Sequence, residues 1–488
     1  MNLIELSSQS ILMGWSWYPG ISILDEGGHL LHTKGYYGDS VLIMSAIRRY
    51  NDNEFYFCTS YRRDSCAALG STTVPYTDPA IGRMDSLGSI TDFKRYRLTA
   101  DCGNFSGDLE ITANKEILVW GKEGRPFVLK VDSLGDPLWA KRFIDQGSIR
   151  FLKELSNGDV LLGFDMDSYG ACIARLDGDG NFIWCKSYMR PWGQMHDAVI
   201  ESDSTYVITG YAGTLGQPKL FMMKIDQEGE VLWCRGYDPA PEPWYLDQWS
   251  RIERTLDGNY AVLATLGQPG NGLFYRPFLM KTNPNGDTLW TRSMGADGYI
   301  YHTRDLLVHS DGSYMFSGVV WGTLPDSWTG APFIFKVDSL GHFSCSERVH
   351  TVQVSEIFPT DSSFTLVSMD GATVHPAFVN DTTFAPIQVY DACEVANALR
   401  PAMKRDGRVM SVRPNPNTGH FTLSFADPLM AESYYSVYDT MGKLLFQRPL
   451  PQGKETEEVD LSRFGAGTYV VRFTSKEGSS YERVLCSP

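Results

Sequence analysis

Residues 127–143 read FVLKVDSLGDPLWAKRF, two short apolar runs around the polar turn Asp132-Ser133-Leu134-Gly135. Such runs on either side of a glycine-bearing turn predict a β-hairpin. Glycine tolerates the positive φ of a tight turn, and aspartate bonds back to its own backbone. The pattern returns along the chain, with turns starting at Asp25, Asp85, Asp132, Asp177, Asp226, Asn283 and Asp338. Each carries glycine three residues on: Gly28, Gly88, Gly135, Gly180, Gly229, Gly286 and Gly341. Trp139, Trp184, Trp233 and Trp290 stand seven residues after their turn starts. A second hairpin follows each copy, clearest in residues 151–165 (FLKELSNGDVLLGFD) with its tip at Ser156-Asn157-Gly158-Asp159. Matching tips are Asn51-Asp52-Asn53-Glu54, Asn114-Lys115-Glu116, Asp203-Ser204, Leu256-Asp257-Gly258-Asn259, Ser310-Asp311-Gly312-Ser313 and Asp361-Ser362-Ser363.

Two hairpins in series make one four-stranded unit, and repeats of about 45–60 residues point to a β-propeller. Residues 4–15 align with the second hairpin type, so the chain is expected to start in mid-blade. Either residues 373–390, with Asp381-Thr382-Thr383 as their turn, supply the missing hairpin, or the true start lies upstream of Met1. Pairing of that segment with residues 3–16 gives eight blades, the favoured count; seven is the alternative. No stretch holds a helical period, which supports an all-β class. The tryptophans at the repeat position are expected to pack between blades as architecture. The expected organisation is a propeller over 1–392, a polar, basic linker over 393–411 (Arg400, Lys404, Arg405, Arg408) and a small Ig-like β-sandwich over 412–488.

Composition narrows the function. The 488 residues are 43% hydrophobic and 13% aromatic, which excludes global disorder. A formal charge of −15 disfavours nucleic-acid binding, because an acidic surface repels phosphate. No run of 18 apolar residues exists, so no membrane-spanning helix is expected. Residues 1–20 lack the basic start of a signal peptide, and Glu5 interrupts their apolar run. The nine cysteines show no metal spacing. Counting back from the turn at Gly178-Asp179 sets Cys172 opposite Cys185, as a disulfide or, on the favoured reading, as buried thiols.

Long connections between hairpins are expected on one face. They bring Trp192, Trp244, Tyr245, Trp249, Tyr275, Trp321 and Trp328, a candidate surface for a glycan or protein ligand. The plainer alternative is that these rings pin down their own loops. Asp177-Gly178-Asp179-Gly180-Asn181 resembles the start of a calcium loop but falls on the repeated turn and lacks the later ligands, so a plain turn is expected. His196, His302 and His309 have no nucleophile partner by spacing. The carboxylate pairs Asp238/Glu242 and Asp247/Glu253 could serve a glycosidase or lyase. No cofactor, metal or catalytic residue is assigned.

The C-terminal stretch runs Val412-Arg413-Pro414-Asn415-Pro416-Asn417-Thr418-Gly419, then Tyr435-Ser436-Val437-Tyr438-Asp439-Thr440-Met441-Gly442-Lys443, then Gly465-Ala466-Gly467-Thr468-Tyr469. It resembles the type A C-terminal sorting domain of substrates of the type IX (Por) secretion system of Bacteroidota. The residues carrying the likeness are Pro414, Asn415, Pro416, Gly419, Tyr438, Asp439, Gly442, Lys443, Gly467 and Tyr469. Locally, Pro414 and Pro416 are expected to hold the first strand extended, and Gly467 to allow close backbone approach. The resemblance implies export across the outer membrane by the type IX machinery, then release or tethering to surface lipopolysaccharide. That route needs a signal peptide, which the start of this chain does not display. The expectation is therefore a secreted or surface-attached, non-catalytic binding or adhesion protein. The alternatives are a propeller hydrolase or lyase acting on polysaccharide, or a purely structural surface component.

Overall fold

The computed structural model describes residues 2–486 apart from 7–9, 16–19, 26–27, 38–40, 63–76, 99–105, 122–125, 144–146, 167–169, 189–192, 215–216, 241–244, 247–248, 269–273, 297–298, 325–326, 344–345, 360, 367, 378, 384–409, 426–428, 430–432, 440–443 and 476–477. The chain divides into two compact units, Met1–Asp391 and Ala392–Pro488.

The first unit is a β-propeller. Its described residues form seven blades: 2–37, 41–97, 106–143, 147–188, 193–240, 245–293 and 300–337, called blades 1 to 7. In blade 4 the strands Gly147–Glu154, Val160–Met166, Gly170–Leu176 and Phe182–Tyr188 pair antiparallel in sequence order. The innermost strands Asn2–Glu5, Val41–Arg49, Ser106–Ile111, Gly147–Glu154, Gly193–Ser202, Arg251–Arg254 and Ile300–Val308 touch in that order, and the last meets the first. The ring is therefore closed, with seven blades and not eight.

The phase also differs from the expectation. The hairpin with its tip at Ser156-Asn157-Gly158-Asp159 is the inner pair of its blade, and the Asp177–Gly180 type is the outer pair. Periodicity reveals the two hairpins but not which comes first, because adjacent hairpins have equal spacing on either side. With the phase corrected, blade 1 takes all four strands from residues 2–37 and no hairpin is missing.

Residues 348–383 are therefore not part of another blade. They form a belt that adds one strand to the outer edge of blade after blade, in reverse order. Arg348–Val349 pairs with blade 6, Thr351–Glu356 with blade 5, Ser362–Ser363 with blade 4, Ser368–Asp370 with blade 3, Thr373–Pro376 with blade 2 and Asn380–Thr383 with blade 1. Asp361-Ser362-Ser363 is thus not a hairpin tip, nor do residues 373–383 pair with residues 3–16. The belt strand Thr351–Glu356 is mostly exposed, so it contributes backbone pairing more than buried area. An outer strand without a neighbour presents unpaired N–H and C=O groups, and the belt pairs six such edges.

Each outer turn follows one scheme. In blade 3, Gly135 at φ 80° donates its N–H to Asp132 O at 2.9 Å, and Asp132 Oδ1 accepts from Leu134 N and Asp136 N. The ladder slips by one residue beyond it, the signature of a three-residue hairpin with a glycine bulge. The three-residue loop and that slip, one position each, also explain the cysteines. Cys172 faces Ser187, Cys185 faces Ala174, and both are buried free thiols.

The turns join neighbouring blades. A Cβ on Gly180, Gly229, Gly286 or Gly341 would meet the indole of Trp139, Trp184, Trp233 or Trp290 of the preceding blade at 3.1 Å or less. Trp139 Nε1 donates to Gly178 O, and Trp184 Nε1 to Gln227 O, both at 2.9 Å. The tryptophans are half-buried between blades, while the largest fully buried rings are tyrosines and phenylalanines. Among these, Tyr96, Tyr188 and Tyr237 donate to the glycine carbonyl of the next blade's turn (Gly135, Gly229, Gly286), as does the nearly buried Tyr36 to Gly88. The core lies between adjacent blades; Leu3, Ile11, Met13 and Met315 make it across the closure of blades 1 and 7.

The second unit is a seven-stranded sandwich among its described residues. Met410–Arg413, His420–Phe425 and Thr456–Asp460 form one sheet; Leu444–Leu450, Ser433–Asp439, Gly467–Ser475 and Gly478–Cys486 form the other. Its core includes Phe421, Leu423, Tyr435, Val437, Val471 and Val484.

Candidate functional site

The inner strands carry a network of charges along the propeller axis, a feature that sequence reading did not find. Arg48 comes from blade 2, Asp108 and Glu110 from blade 3, Lys153 from blade 4, Asp197 from blade 5, Arg251 and Glu253 from blade 6, and Asp305 from blade 7. Arg48 Nη2 donates to Asp108 Oδ1 at 2.7 Å, and Lys153 Nζ lies 3.4 Å from Asp197 Oδ1. Arg251 stands 3.9 Å from both Asp108 and Asp197. Five carboxyls thus meet three cations, Asp108 and Asp197 buried and the others partly so, and burial opposes ionisation. Burial raises Glu110 and Asp305, with partial compensation by Lys153 and Arg48 for the first and by Arg251 and Arg48 for the second. Burial pushes Glu253 up to about 7 against the pull of Lys153. A period-2 strand signal cannot expose such a network, because the partners lie on separate repeats.

Where the inner strands begin, bulges re-aim one residue per strand. Arg150, His196 and Arg304 each drop out of their ladders at such a shift. They gather around Trp249. The guanidinium carbons of Arg150 and Arg304 lie 5.2 Å and 5.4 Å from its ring centroid, and the His196 ring is 5.9 Å away. Tyr211 fixes the backbone of Trp249 through a 3.0 Å hydrogen bond to its carbonyl. Arg150 also pairs with Asp165, which burial pushes up to about 6. Groups from blades 4, 5 and 7 thus converge on an indole of blade 6.

His196 does have a serine neighbour, which the spacing did not suggest. Its Nδ1 lies 3.1 Å from Ser250 Oγ, but it also accepts the Ser250 backbone N–H at 3.1 Å. Ser250 is 1% exposed. The pair clamps the strand start of blade 6 and does not present an accessible nucleophile. His302 stacks with Tyr275 at 5.6 Å, while buried His309 contacts Glu5 and Asp311.

The other aromatic candidates divide. Trp321 lies on its own hairpin, over Gly330 on the facing strand, as a loop-pinning ring would. Tyr245 pairs with Gly267, and Trp328 with Thr323, by backbone register. Trp192 and Trp244 fall outside the described residues, as do Glu242 and Asp247. Asp238 sits on the outer strand of blade 5 facing the belt, and Glu253 on the inner strand of blade 6, so neither belongs to a loop pair. Asp177 Oδ1 accepts the N–H groups of Asp179 and Asn181, the ordinary turn of the repeat.

In the second unit, Pro414, Asn415 and Pro416 form a bend after the strand Met410–Arg413, with cis peptide bonds before both prolines, and do not extend that strand. Asn415 Oδ1 accepts Leu485 N at 2.8 Å, and Asn417 Oδ1 accepts Gly419 N at 2.8 Å. Gly419 has φ 99°, and a Cβ there would lie 2.9 Å from Ser462 Cα. It is therefore the close-approach glycine. Gly467 is not crowded; its added Cβ would meet nothing nearer than the Tyr469 hydroxyl at 3.6 Å. Tyr469 donates to the carbonyls of Phe464 and Gly465. Tyr438 and Asp439 end their strand opposite Val470 and Tyr469. Gly442 and Lys443 lie outside the described residues.

Residues 411–487 match the family described as the secretion system C-terminal sorting domain, the type IX sorting tail. No curated protein matches the chain. Among solved structures, a protein of unknown function from Bacteroides caccae is similar at 11% identity and TM-score 0.36, over 68% of this chain and 90% of that one. Drosophila Semaphorin 2a is similar at 7% identity and TM-score 0.35, over 95% of this chain and 92% of that one. The propeller assignment rests on the strand pairing. The tail marks the chain for secretion or display at the cell surface, and no helix among the described residues is long and apolar enough to cross a membrane.

Proposed function

We propose that this chain is a non-catalytic binding protein of the cell exterior. The type IX machinery delivers it through residues 411–487, and it is then released or tethered to surface lipopolysaccharide. The recognition surface is the propeller face that carries the connections between hairpins, and its ligand is a glycan or a protein. The observation that carries this reading is the convergence of Arg150, His196 and Arg304, from three blades, on Trp249 of a fourth. A rigid ring that sets an aromatic among fixed donors pre-organises a polar contact surface. Trp192, Trp244, Tyr245, Tyr275 and Trp328 of the same connections are proposed to extend it, whereas Trp321 pins its own hairpin.

The test is a glycan array and a surface pull-down with the full chain beside a folded Trp249→Ala variant. Binding by the parent that falls at least tenfold in the variant supports the assignment. Equal binding by both moves the surface elsewhere. No binding by either leaves a structural surface component.

A further inference from the structure

The two sheets of the second unit carry unlike outer faces. On the three-stranded sheet the outward positions are polar, and facing strands answer one another. His420 Nε2 lies 3.3 Å from Asp460 Oδ1, and Thr422 Oγ1 donates to Glu458 Oε1 at 2.8 Å. Both pairs stand directly opposite in the ladder. This is the usual outer face of an antiparallel sheet, with core residues alternating with solvated ones.

The four-stranded sheet departs from that rule. In the strand Ser433–Asp439 the core takes Tyr435 and Val437, so Tyr434 and Tyr438 point outward. Register sets Tyr438 between Leu444 on one side and Val470 on the other, an aromatic ring in a row with two aliphatic side chains. Leu485 on the edge strand stands opposite Thr468, two positions along from Val470. Tyr434, Leu444 and Leu485 are 37%, 47% and 44% exposed. Arg472 supplies a cation on the same face, whereas no Asp, Glu or Lys stands at an outward position of the four strands. In a chain of formal charge −15, a sheet face without a carboxylate is a local exception.

The residues that carry the sorting resemblance divide accordingly. Asn415, Gly419 and Tyr469 have tasks inside the sandwich: a hydrogen bond to Leu485 N, a close approach to Ser462, and hydrogen bonds to Phe464 and Gly465. Tyr438 has none of these. It is half-buried in the outward row, and no hydrogen bond ties its hydroxyl among the described residues.

We propose that this face is where the export machinery takes hold of the chain, and that its occupant is a folded protein of that machinery. The assignment rests on residues 411–487 being the export address. The cores of contact surfaces between proteins are enriched in Tyr and Arg and depleted in Lys, Glu and Asp, which is the composition of this face. The occupant sets an apolar patch on the row of Leu444, Tyr438 and Val470, and a carboxylate on Arg472. The polar sheet offers no comparable apolar anchor. A phosphate-bearing lipid headgroup would call for clustered cations more than for tyrosine and leucine, so the composition favours a protein.

The experiment uses the full chain, expressed from its own gene in cells with an active type IX system. A benzophenone amino acid replaces Tyr434 or, as comparison, Thr422 on the polar sheet. Irradiation is expected to give an adduct with a type IX component, identified by mass spectrometry, from position 434 alone. The double change Tyr434→Ser and Leu485→Ser should lower the exported fraction at least fivefold. Thr422→Ala with His420→Ala should leave it unchanged. Circular dichroism melts of the purified variants check folding; if the first double variant unfolds, Leu485→Ser alone and the crosslink decide the matter. Adducts with lipopolysaccharide alone, equal adducts from both positions, or normal export of the folded double variant overturn the proposal. Deletion of residues 411–487 separates the two readings. Export lost on deletion but kept in the double variant refutes the face alone, whereas export kept on deletion refutes the address as well.

Discussion

The backbone N–H of Leu3 donates to Asp305 Oδ2 at 2.7 Å, across 302 positions of sequence. With the contacts of Glu5 to Ser310 and His309, it joins blade 1 to blade 7 without any strand being exchanged between them. Asp305→Ala leaves a strand N–H without its acceptor at the closure and should cost on the order of 1–3 kcal/mol. Asp305→Asn keeps an acceptor and should cost less. Urea unfolding of the two variants against the parent checks the order.

The glycines of the hairpin turns separate backbone strain from packing. Gly229 and Gly258 have nearly equal φ, 77° and 79°, but a Cβ on Gly229 meets Trp184 and Tyr188 whereas one on Gly258 meets nothing within 4 Å. Both changes to alanine incur roughly 1–2 kcal/mol for the left-handed backbone. Gly229→Ala should add about 1 kcal/mol or more by displacing the neighbouring rings. Equal losses in denaturant melts would show that the tryptophan contact between blades is slack.

Glu253 makes stability depend on pH in a defined direction. Its folded-state pKa, about 7, lies above the usual carboxylate value, so the folded chain holds a proton there that the unfolded chain has lost. This contribution is fully favourable below the unfolded value near 4.5, and it fades as pH rises through 7. Glu253→Gln abolishes this dependence. Relative to the parent, the variant should therefore gain stability between about pH 5 and 8, by at most about 3 kcal/mol. Thermal melts over that range give the slope, and a gap that narrows with rising pH would contradict the assignment.

In the belt, Ile357 N–H donates to Cys234 O at 2.9 Å, and antiparallel pairs alternate. The Ser355 amide therefore faces blade 5, and that of Val354, 44% exposed, faces away. Ser355→Pro should lower protection of the strand Val231–Ala240 in hydrogen exchange and cost about 1–3 kcal/mol. Val354→Pro should be tolerated much better, as proline is at outward-facing edge positions.

Gly419→Ala should damage the sorting domain, because the new Cβ is driven against the backbone of Ser462. Gly467→Ala should have little effect. Fractionation of cells expressing each variant would show loss of surface or released protein for the first alone.

The sequence displayed the repeat because its signals are local. A glycine needed for positive φ and an aspartate that caps its own turn recur wherever the outer hairpin recurs. The tryptophans were recognisable as architecture for the same reason. What failed was the phase of the blade and the fate of residues 348–383, since a strand of two to six mostly exposed residues carries no alternation to read. The axial charge network was hidden differently. Arg48, Lys153, Arg251 and their carboxyls each resemble a solvated strand residue until the ring brings them together. Trp249 was picked out among seven aromatics, but Arg150, His196 and Arg304 depend on bulges that leave no mark in composition.

The belt also imposes a timetable on the chain. Its final described pairing sets Asn380–Thr383 against residues 34–37 of blade 1, so the first blade to be synthesised is the last to receive its edge. Contacts of such sequence separation are slow to form, and until they do the outer strands of the early blades stay open to pairing with other chains. A ribosome or a proteolytic cut that stops short of residue 348 would yield a ring whose blades are nearly all present but whose rim is adhesive. A finished rim therefore certifies that the passenger has been made almost to its end, and the sorting domain is the next folded piece the chain provides.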